Sequence, residues 1–448
     1  MLPRLFRWFH SPARFQGLWR HPDFLKLWAG QSVSVFGTLI TNVALPIVAV
    51  LALHATPAQV ALIYAAQVAP TLIFALAAGA LADRVRRRPL LIAADIGRTL
   101  TLASVPIAAL AGALNLELLY VVTLVTSALS ALFDVAYPAY LPSLVGRERL
   151  LEGNAKLGAS MSVAEVAGFG LAGILTQALT APGAIVVDIA TYLVSIASLA
   201  LIRTREPAPE RASASSAAHA LSQLRAEVIE GLRLTWRHPT RRALAGAAAV
   251  RALCSAIVET VLLIFILRDL RVSPAVMGLI FGVGGAASFV GAAWAQRVTQ
   301  RLGMRRTLRW SIWVSSAFGL LIPLAGGPIW LAVALLAAQQ FGDAAHSIYD
   351  ITTATTLQSI SPSAALGRIN ASIQFVSGVA TVVGLALGAA LGQTLGARGA
   401  LLVAMLGMLL APLWLTLAPI MPDEADAAQA EVAPMPDLLE PSGNISSP

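Results

Sequence analysis

Apolar residues in this chain fall in long unbroken runs, separated by arginine clusters, prolines and glycines, instead of alternating singly with polar ones. A helix that crosses a hydrocarbon core of about 30 Å needs roughly 20 residues, and the runs have that length. They predict spans over residues 28–53, 58–82, 89–113, 117–140, 155–180 and 183–202, then over 243–267, 274–296, 307–326, 328–351, 368–394 and 397–419. Barrel strands would need a period-two alternation that these runs lack. The expected fold is an all-α membrane protein with twelve transmembrane helices in two six-helix, pseudo-symmetric halves.

Basic residues set the expected orientation. Arg4, Arg7, Arg14, Arg20 and Lys26 precede the first span, and Arg84, Arg86, Arg87 and Arg88 fill the second connection. Arg147 and Arg149 lie in the fourth, eight arginines in residues 203–242, and Arg297, Arg301, Arg305, Arg306 and Arg309 around the eighth. The odd connections hold little beyond Arg268, Arg271 and Arg398. Both termini are therefore expected on the cytoplasmic side of a bacterial inner membrane. The organisation that follows is a segment 1–27, a six-helix bundle 28–202, a linker 203–242, a second bundle 243–419 and a disordered tail 420–448. In the linker, Leu221, Leu224, Val228 and Leu232 fall at helical spacing beside Arg225 and Arg233, which predicts an amphipathic helix on the inner leaflet.

The halves repeat one another. An offset of about 216 residues lays His54-Ala-Thr-Pro57-Ala over Arg271-Val-Ser-Pro274-Ala, Asp134 over Asp350 and Asn154-Ala over Asn370-Ala. A slightly smaller offset, 212 to 213 residues, brings Gly79-Ala-Leu-Ala-Asp-Arg-Val onto Gly291-Ala-Ala-Trp-Ala-Gln-Arg-Val with one residue of slack inside the motif. Two parallel repeats joined by a long connection are the layout of a transporter with its site between the halves.

Composition agrees. Only 12 % of the 448 residues are charged, about half the roughly 25 % of a soluble domain. The net charge of +8 sits in short loop clusters, which reads as membrane topology and not as a nucleic-acid surface. The single cysteine excludes a disulfide framework, and the six histidines form no HxxxH or HExxH pattern. No phosphate-binding loop is present, so ATP-driven transport by this chain is not expected, and neither is any cofactor. The first residues are too charged for a signal peptide, so the first apolar run is expected to stay in the mature protein. No nucleophile–base pair or metal cluster can be built from spacing, so an enzyme is not expected.

Gly79-Ala-Leu-Ala-Asp83-Arg84-Val-Arg-Arg87-Arg88 resembles the loop motif of the major facilitator superfamily, and it lies between spans two and three as in that family. Phe133-Asp-Val-Ala-Tyr-Pro138-Ala-Tyr-Leu-Pro142, Leu151-Glu-Gly-Asn154-Ala and Gly367-Arg-Ile-Asn370 are similar to the branch that holds the enterobactin exporter and macrolide-efflux proteins. The family's second motif glycine is Arg86 here. The resemblance implies a gate that locks the outward-facing state, made of Gly79, Asp83, Arg84, Arg87 and Arg88. Asp83 would face the start of span eleven near Arg368, and Arg87 would pair with Asp134. Efflux members often carry Gly-Pro-x-x-Gly-Gly in span five. The matching stretch here is Gly168-Phe169-Gly170-Leu-Ala172-Gly173, whose small residues predict close helix packing.

An ionisable group at mid-bilayer costs about 2.5–3.5 kcal/mol or more, so each one is a functional candidate. Glu165 is expected about 15 Å deep by the helical rise. Asp343 lies past the middle of span ten, and Glu259 lies in the outer half of span seven, related by the repeat to Asn42. In the resembled family, spans one, four, seven and ten line the cavity, which favours Asn42, Glu259 and Asp343. A carboxyl group there can exchange a proton during a transport cycle or bind a cationic substrate. Asp95 and Arg98, one turn apart, read as a structural ion pair, and Asp188 is expected to meet interfacial water. Arg251 and His346 are candidates for a relay. Gln31, Gln67, Gln339, Gln340 and Gln374 offer neutral hydrogen bonding to the cavity. The expected function is proton-coupled export of an amphipathic small molecule, a drug or siderophore, by a single chain in the bilayer. An uptake permease, a lipid translocator or a transport-inactive sensor on the same fold are the alternatives.

Overall fold

The computed structural model describes residues 17–204, 206, 229–362 and 365–417, without the side chains of 71–84 and 147. The expected tail 420–448 and residues 221–228 of the expected amphipathic helix lie outside these. The described chain is almost entirely helical and contains no strand. The first half comprises α1 (Pro22–Ile47), α2 (Pro57–Arg84), α3 (Arg87–Leu110), α4 (Leu116–Val145), α5 (Leu150–Leu179) and α6 (Ala181–Ala200). The second comprises α7 (Pro239–Ile264), α8 (Pro274–Leu302), α9 (Met304–Gly319), α10 (Ile329–Gln339), α11 (Gly342–Ile360), α12 (Leu366–Thr394) and α13 (Gly396–Met408).

Local chemistry explains the ends. Proline occupies the first turn of α1, α7 and α8, where its missing N–H costs nothing. Asn115 caps α4 by accepting from Leu118 N at 2.8 Å. Gly146 and Gly303, at φ 76° and 78°, stop α4 and α8 in a conformation that side chains resist. Several helices run past the apolar stretches at the arginine-rich end: α1 begins at Pro22 and α8 ends at Leu302.

Ten helices among the described residues are long and apolar enough to cross a membrane. The other two expected rods are α2 and the pair α10–α11. That pair corrects the single continuous span expected over 328–351: the helix breaks at Gln340–Phe341 and restarts at Gly342. The restart sets Asp343 in the first turn of α11, and the turn is carried through by i to i+3 bonds, Asp343 N donating to Gln340 O at 3.1 Å and Ala344 N to Phe341 O at 3.3 Å.

Each half is a bundle. In the first, α1 packs on α5 and α6, α2 on α4, and α3 on α4 and α6. In the second, α7 packs on α12 and α13, while α11 packs on α8 and α9. The halves meet where α5 crosses α8 and where α2 meets α7 and α12. The core divides by depth. At the end away from the arginine clusters, one buried cluster contains residues of both halves, from Val48 and Val60 to Val261, Phe265 and Met277. At the arginine-rich end the clusters are separate, one around Phe24, Leu91 and Tyr140 and the other around Leu308, Tyr349 and Leu357. The halves are thus sealed together at the far end and have separate cores at the arginine-rich end.

The repeat is visible in the backbone. α1 and α7 both end in a π-helical turn, Val48–Ala52 and Phe265–Asp269, and each is followed by a non-glycine residue at positive φ, His54 and Arg271. One irregular ending copied into both halves is a stronger mark of duplication than Ala and Leu matches. The two turns touch, and Arg268 fastens them. Its Nε and Nη2 donate to Val50 O at 3.1 and 2.5 Å, and its Nη1 donates to Ala55 O at 2.9 Å. A hydrogen bond from a charged donor is worth about 1.5–3 kcal/mol. Arg268→Ala is therefore expected to raise the population open at the far end by about tenfold, equivalent to about 1.4 kcal/mol. Spin-label distances across the Val50–Arg268 contact measure this, and an unchanged distribution would contradict it.

Candidate functional site

Two chambers lie between the halves. The first, about 510 Å³, is lined by Asn42 of α1, Tyr64 and Gln67 of α2, Thr123, Thr126 and Asp134 of α4, and Glu259 of α7. The second, also about 510 Å³, is lined by Glu165 of α5, Gly284 and Gly285 of α8, Gln340, and Asp343 of α11. Phe169 of α5 and Phe281 of α8 line both chambers. Their rings meet edge to face with centroids 6.3 Å apart, so one aromatic residue from each half forms the shared wall.

The structure thus gathers the four intramembrane candidates into two places: Asn42 with Glu259, and Glu165 with Asp343. Asp134, expected as a gate partner, belongs to the first chamber. None of the four carboxylates has a hydrogen bond or ion pair among the described residues, so each is open to a ligand or a proton. Gly284 makes the second chamber possible. A Cβ there would stand 2.4 Å from Gln340 Oε1 and 2.6 Å from Asp343 Oδ2, so only glycine lets both side chains lie against α8. Gly284→Ala is expected to lower transport by about tenfold or more with protein level unchanged, measured as substrate flux per molecule. Flux within about twofold of the parent would contradict it.

Behind the first chamber a buried polar network holds α1, α3, α4 and α6 together. Arg98 pairs with Asp95, whose other oxygen accepts from Ser195 Oγ at 2.7 Å. The Arg98 guanidinium lies 4.4 Å from the Phe133 ring and 4.5 Å from the Tyr192 ring. The structural ion pair expected of Asp95 and Arg98 is present. Asp188 corrects its expectation: it is fully buried, accepting from Thr41 at 2.5 Å and Thr191 at 3.0 Å. Gly37 leaves the room, because a Cβ there would lie 2.3 Å from Asp188 Oδ1, so α6 closes onto α1 and shuts out interfacial water. Removing one member of a buried ion pair costs about 3–5 kcal/mol. Asp95→Ala is expected to destabilise the protein by that order, read from thermal unfolding in detergent; a change below about 1 kcal/mol would contradict a structural role.

In the second half, Arg251 reaches the two ring nitrogens of His346 at 2.6 and 2.9 Å, and His346 lies 3.3 Å from Asp350. The two residues expected to form a relay are in contact, with Asp350, the repeat mate of Asp134, as third member. Of the glutamines, Gln67 lines the first chamber and Gln340 the second; Gln31, Gln339 and Gln374 do not line either.

At the arginine-rich end the pairs differ from those expected. Arg87 is not on Asp134. Glu206 of the linker accepts from the backbone N–H groups of Arg87 and Arg88 at 2.9 and 3.1 Å, and its carboxylate lies 3.6 Å from the Arg87 guanidinium. The free N–H groups at the start of α3 attract that carboxylate. Arg88 donates to the carbonyls of Leu199 and Ala200. Arg368 pairs with Glu230 at 2.5 Å, and the side chains of Gly79, Asp83 and Arg84 lie outside the described residues. Residues 229–237 are helical and press on α12 at Gly231, where a Cβ would meet Arg368 O at 2.3 Å. The linker is therefore held to the first half by Glu206 and to the second by Glu230.

Two six-helix repeats around a polar cavity at mid-depth define a membrane transporter of the major facilitator type. The chain belongs to the MFS_3 family, described as transmembrane secretion effectors, whose model matches residues 16–443. The multidrug efflux pump Tap of Mycolicibacterium fortuitum is 27 % identical over 405 residues, covering 87 % of this chain and 94 % of Tap. A bacterial homologue of the iron transporter ferroportin, solved inward-facing, superposes with a TM-score of 0.71 at 17 % identity, over 90 % of this chain and 99 % of that one. A bacterial homologue of ferroportin solved outward-facing gives a TM-score of 0.54 at 16 % identity, over 88 % of this chain and 98 % of that one. These structural likenesses carry the fold. Among the described residues no group of three or more His, Cys, Asp and Glu is placed to hold a metal ion.

Proposed function

We propose that this transporter is a secondary active exporter of amphipathic small molecules, driven by inward proton flow across a bacterial inner membrane. Its working unit is one chain, acting as a carrier and not as an enzyme. With both termini cytoplasmic, as the arginine distribution favours, the sealed end faces outward and the captured state is inward-facing. The observation that carries the reading is the pair of chambers between the halves, whose carboxylates have no hydrogen-bond or ion-pair partner among the described residues. Export then proceeds by exchange: substrate enters from the inside onto ionised carboxylates, the halves rock, and protons arriving from outside displace it.

In this cycle the loop motif is the inner lock. Closing the inside would bring Asp83 to the start of α12 near Arg368 and let Arg87 exchange Glu206 for Asp134, with Gly79, Arg84 and Arg88 shaping the turn. Inside-out vesicles test the direction. Exporter activity appears as dye accumulation when the vesicle interior is made acidic, and Asp83→Asn abolishes it at normal protein level. Accumulation in right-side-out vesicles alone would make the protein an uptake permease. Movement of lysolipid without dye would make it a lipid translocator, and ligand binding without flux would make it a sensor.

A further inference from the structure

Away from the chambers, α9 presents two unlike faces. One carries Leu308 and Ile312 into the core of the second half. The other presents Arg309, Trp310, Trp313, Val314 and Ala317, which line an open groove of about 580 Å³. Residues three and four apart share a helix face, so Arg306 continues this stripe one turn before Trp310, and Arg305 stands one turn before Arg309. No carboxylate lines the groove, and Trp310 is 63 % exposed. The stripe thus passes from charge to apolar surface along a single helix. Arg306 and Ala317 are about 16 Å apart by the helical rise, close to the about 15 Å of one hydrocarbon leaflet.

The charge at the head of the stripe is not neutralised by the protein. Arg301, Arg305, Arg306 and Arg309 have no ion pair among the described residues. Arg309 is committed to backbone: its Nε and Nη2 donate to Leu415 O and Thr416 O at 3.0 and 3.1 Å, which pins α9 to the end of the helix Ala411–Leu417. Arg305 Nε is buried without a hydrogen-bond partner among the described residues, although buried donors are ordinarily satisfied. The first turn of α9 has no acidic residue and no side-chain cap, so the positive end of the helix dipole adds to the arginines. Topology requires loop charge, and the aromatic belt requires interfacial tryptophan. Neither requires an unpartnered, buried guanidinium nitrogen one turn from an apolar groove.

We infer that this face of α9 is a binding site for an anionic phospholipid. The phosphate sits on Arg305 and Arg306 at the start of α9, and one acyl chain lies along Trp310, Trp313, Val314 and Ala317. The occupant follows from the two ends together: a free phosphate leaves the groove empty, and a lipid without net charge leaves the arginines uncompensated. Guanidinium groups hold phosphate oxygens in pairs of charge-assisted hydrogen bonds, and basic pockets between membrane helices recognise lipid head groups through such charge.

Native mass spectrometry of the purified full-length protein, titrated in detergent with dioleoylphosphatidylglycerol or dioleoylphosphatidylcholine, provides the test. The first phosphatidylglycerol is expected to bind about tenfold or more tightly than the first phosphatidylcholine. Arg305→Gln combined with Arg306→Gln should erase that preference. Arg306→Gln alone, at an exposed position, should lower it by about threefold or more and keeps the test decisive if the double variant does not fold. Trp310→Ala combined with Trp313→Ala should weaken phosphatidylglycerol by about threefold or more. Arg233→Gln combined with Arg237→Gln removes as much charge from the linker and should leave the preference intact. Equal affinities for the two lipids, a preference that survives loss of Arg306, or an equal loss in the Arg233 and Arg237 control would overturn the inference. So would displacement of the lipid by inorganic phosphate at the lipid's own concentration, or a lipid-free dimer that the tryptophan variant dissolves, which would assign the face to a second copy of the chain.

Discussion

Glu259→Gln is expected to lower gradient-driven transport by at least about tenfold, with protein level and thermal stability close to the parent. Glu259 lines the first chamber together with Asp134 and makes no hydrogen bond or ion pair among the described residues. Glutamine keeps its shape and removes only the exchangeable proton and the charge. A structural glutamate would lose stability on this change; a coupling glutamate loses flux. The distinguishing readout is the pH profile of transport: the parent should vary across about pH 6–8, and the variant should be flat. A variant with parental flux and a parental profile would remove Glu259 from the mechanism and leave Asp343 to carry it.

Gly278→Leu is expected to hold the far end open and to reduce turnover by about tenfold or more. A Cβ at Gly278 would stand 2.7 Å from Gly173 Cα and 2.8 Å from Phe169 O, and one at Gly173 would stand 2.3 Å from Pro274 O. These neighbours are backbone, and backbone cannot swing aside as a side-chain tip can. The strain is relieved only by separating α5 from α8, the crossing that joins the halves. A cysteine placed at Gln177, which accepts from Ala275 N at 3.1 Å in the sealed state, should then react with a membrane-impermeant thiol reagent. The native Cys254 is buried and serves as the internal blank. On the same helix as Gly173, a Cβ at Gly158 would meet nothing within 4 Å, so Gly158→Ala should leave both readouts unchanged. Parental labelling in Gly278→Leu would contradict the sealing role of this crossing.

The all-helical membrane fold and its repeated halves are legible in the sequence because hydrocarbon thickness imposes one length on every apolar run. The break in span ten is not, although Gln339-Gln340-Phe341-Gly342 offers a signal: two amides and a glycine in the middle of an apolar stretch. Local composition still favours a helix on both sides of it. The intramembrane carboxylates stand out because charge in a bilayer is costly, but which of them share a chamber depends on how α5, α7, α8 and α11 rotate, and no single run encodes that. Asp188 shows the same limit. Its depth along α6 can be counted, whereas its burial against Gly37 and Thr41 comes from a neighbour 147 residues away in sequence. Phe169 and Phe281 are invisible at that level because an apolar residue in an apolar run carries no contrast. The linker contacts of Glu206 and Glu230 are equally hidden, since a carboxylate in an arginine-rich loop has many possible partners. The glycine-rich stretch of α5 does announce a close contact, because glycine spacing reports packing directly.

Simultaneous recording of dye movement and internal pH in proteoliposomes, under an imposed pH gradient, tests proton-coupled alternating access most directly. The parent should move dye against an opposing proton flux in a fixed ratio, and Glu259→Gln or Asp343→Asn should abolish both signals together. Dye movement that ignores the gradient, with internal pH unchanged, would leave the fold intact and contradict the coupling.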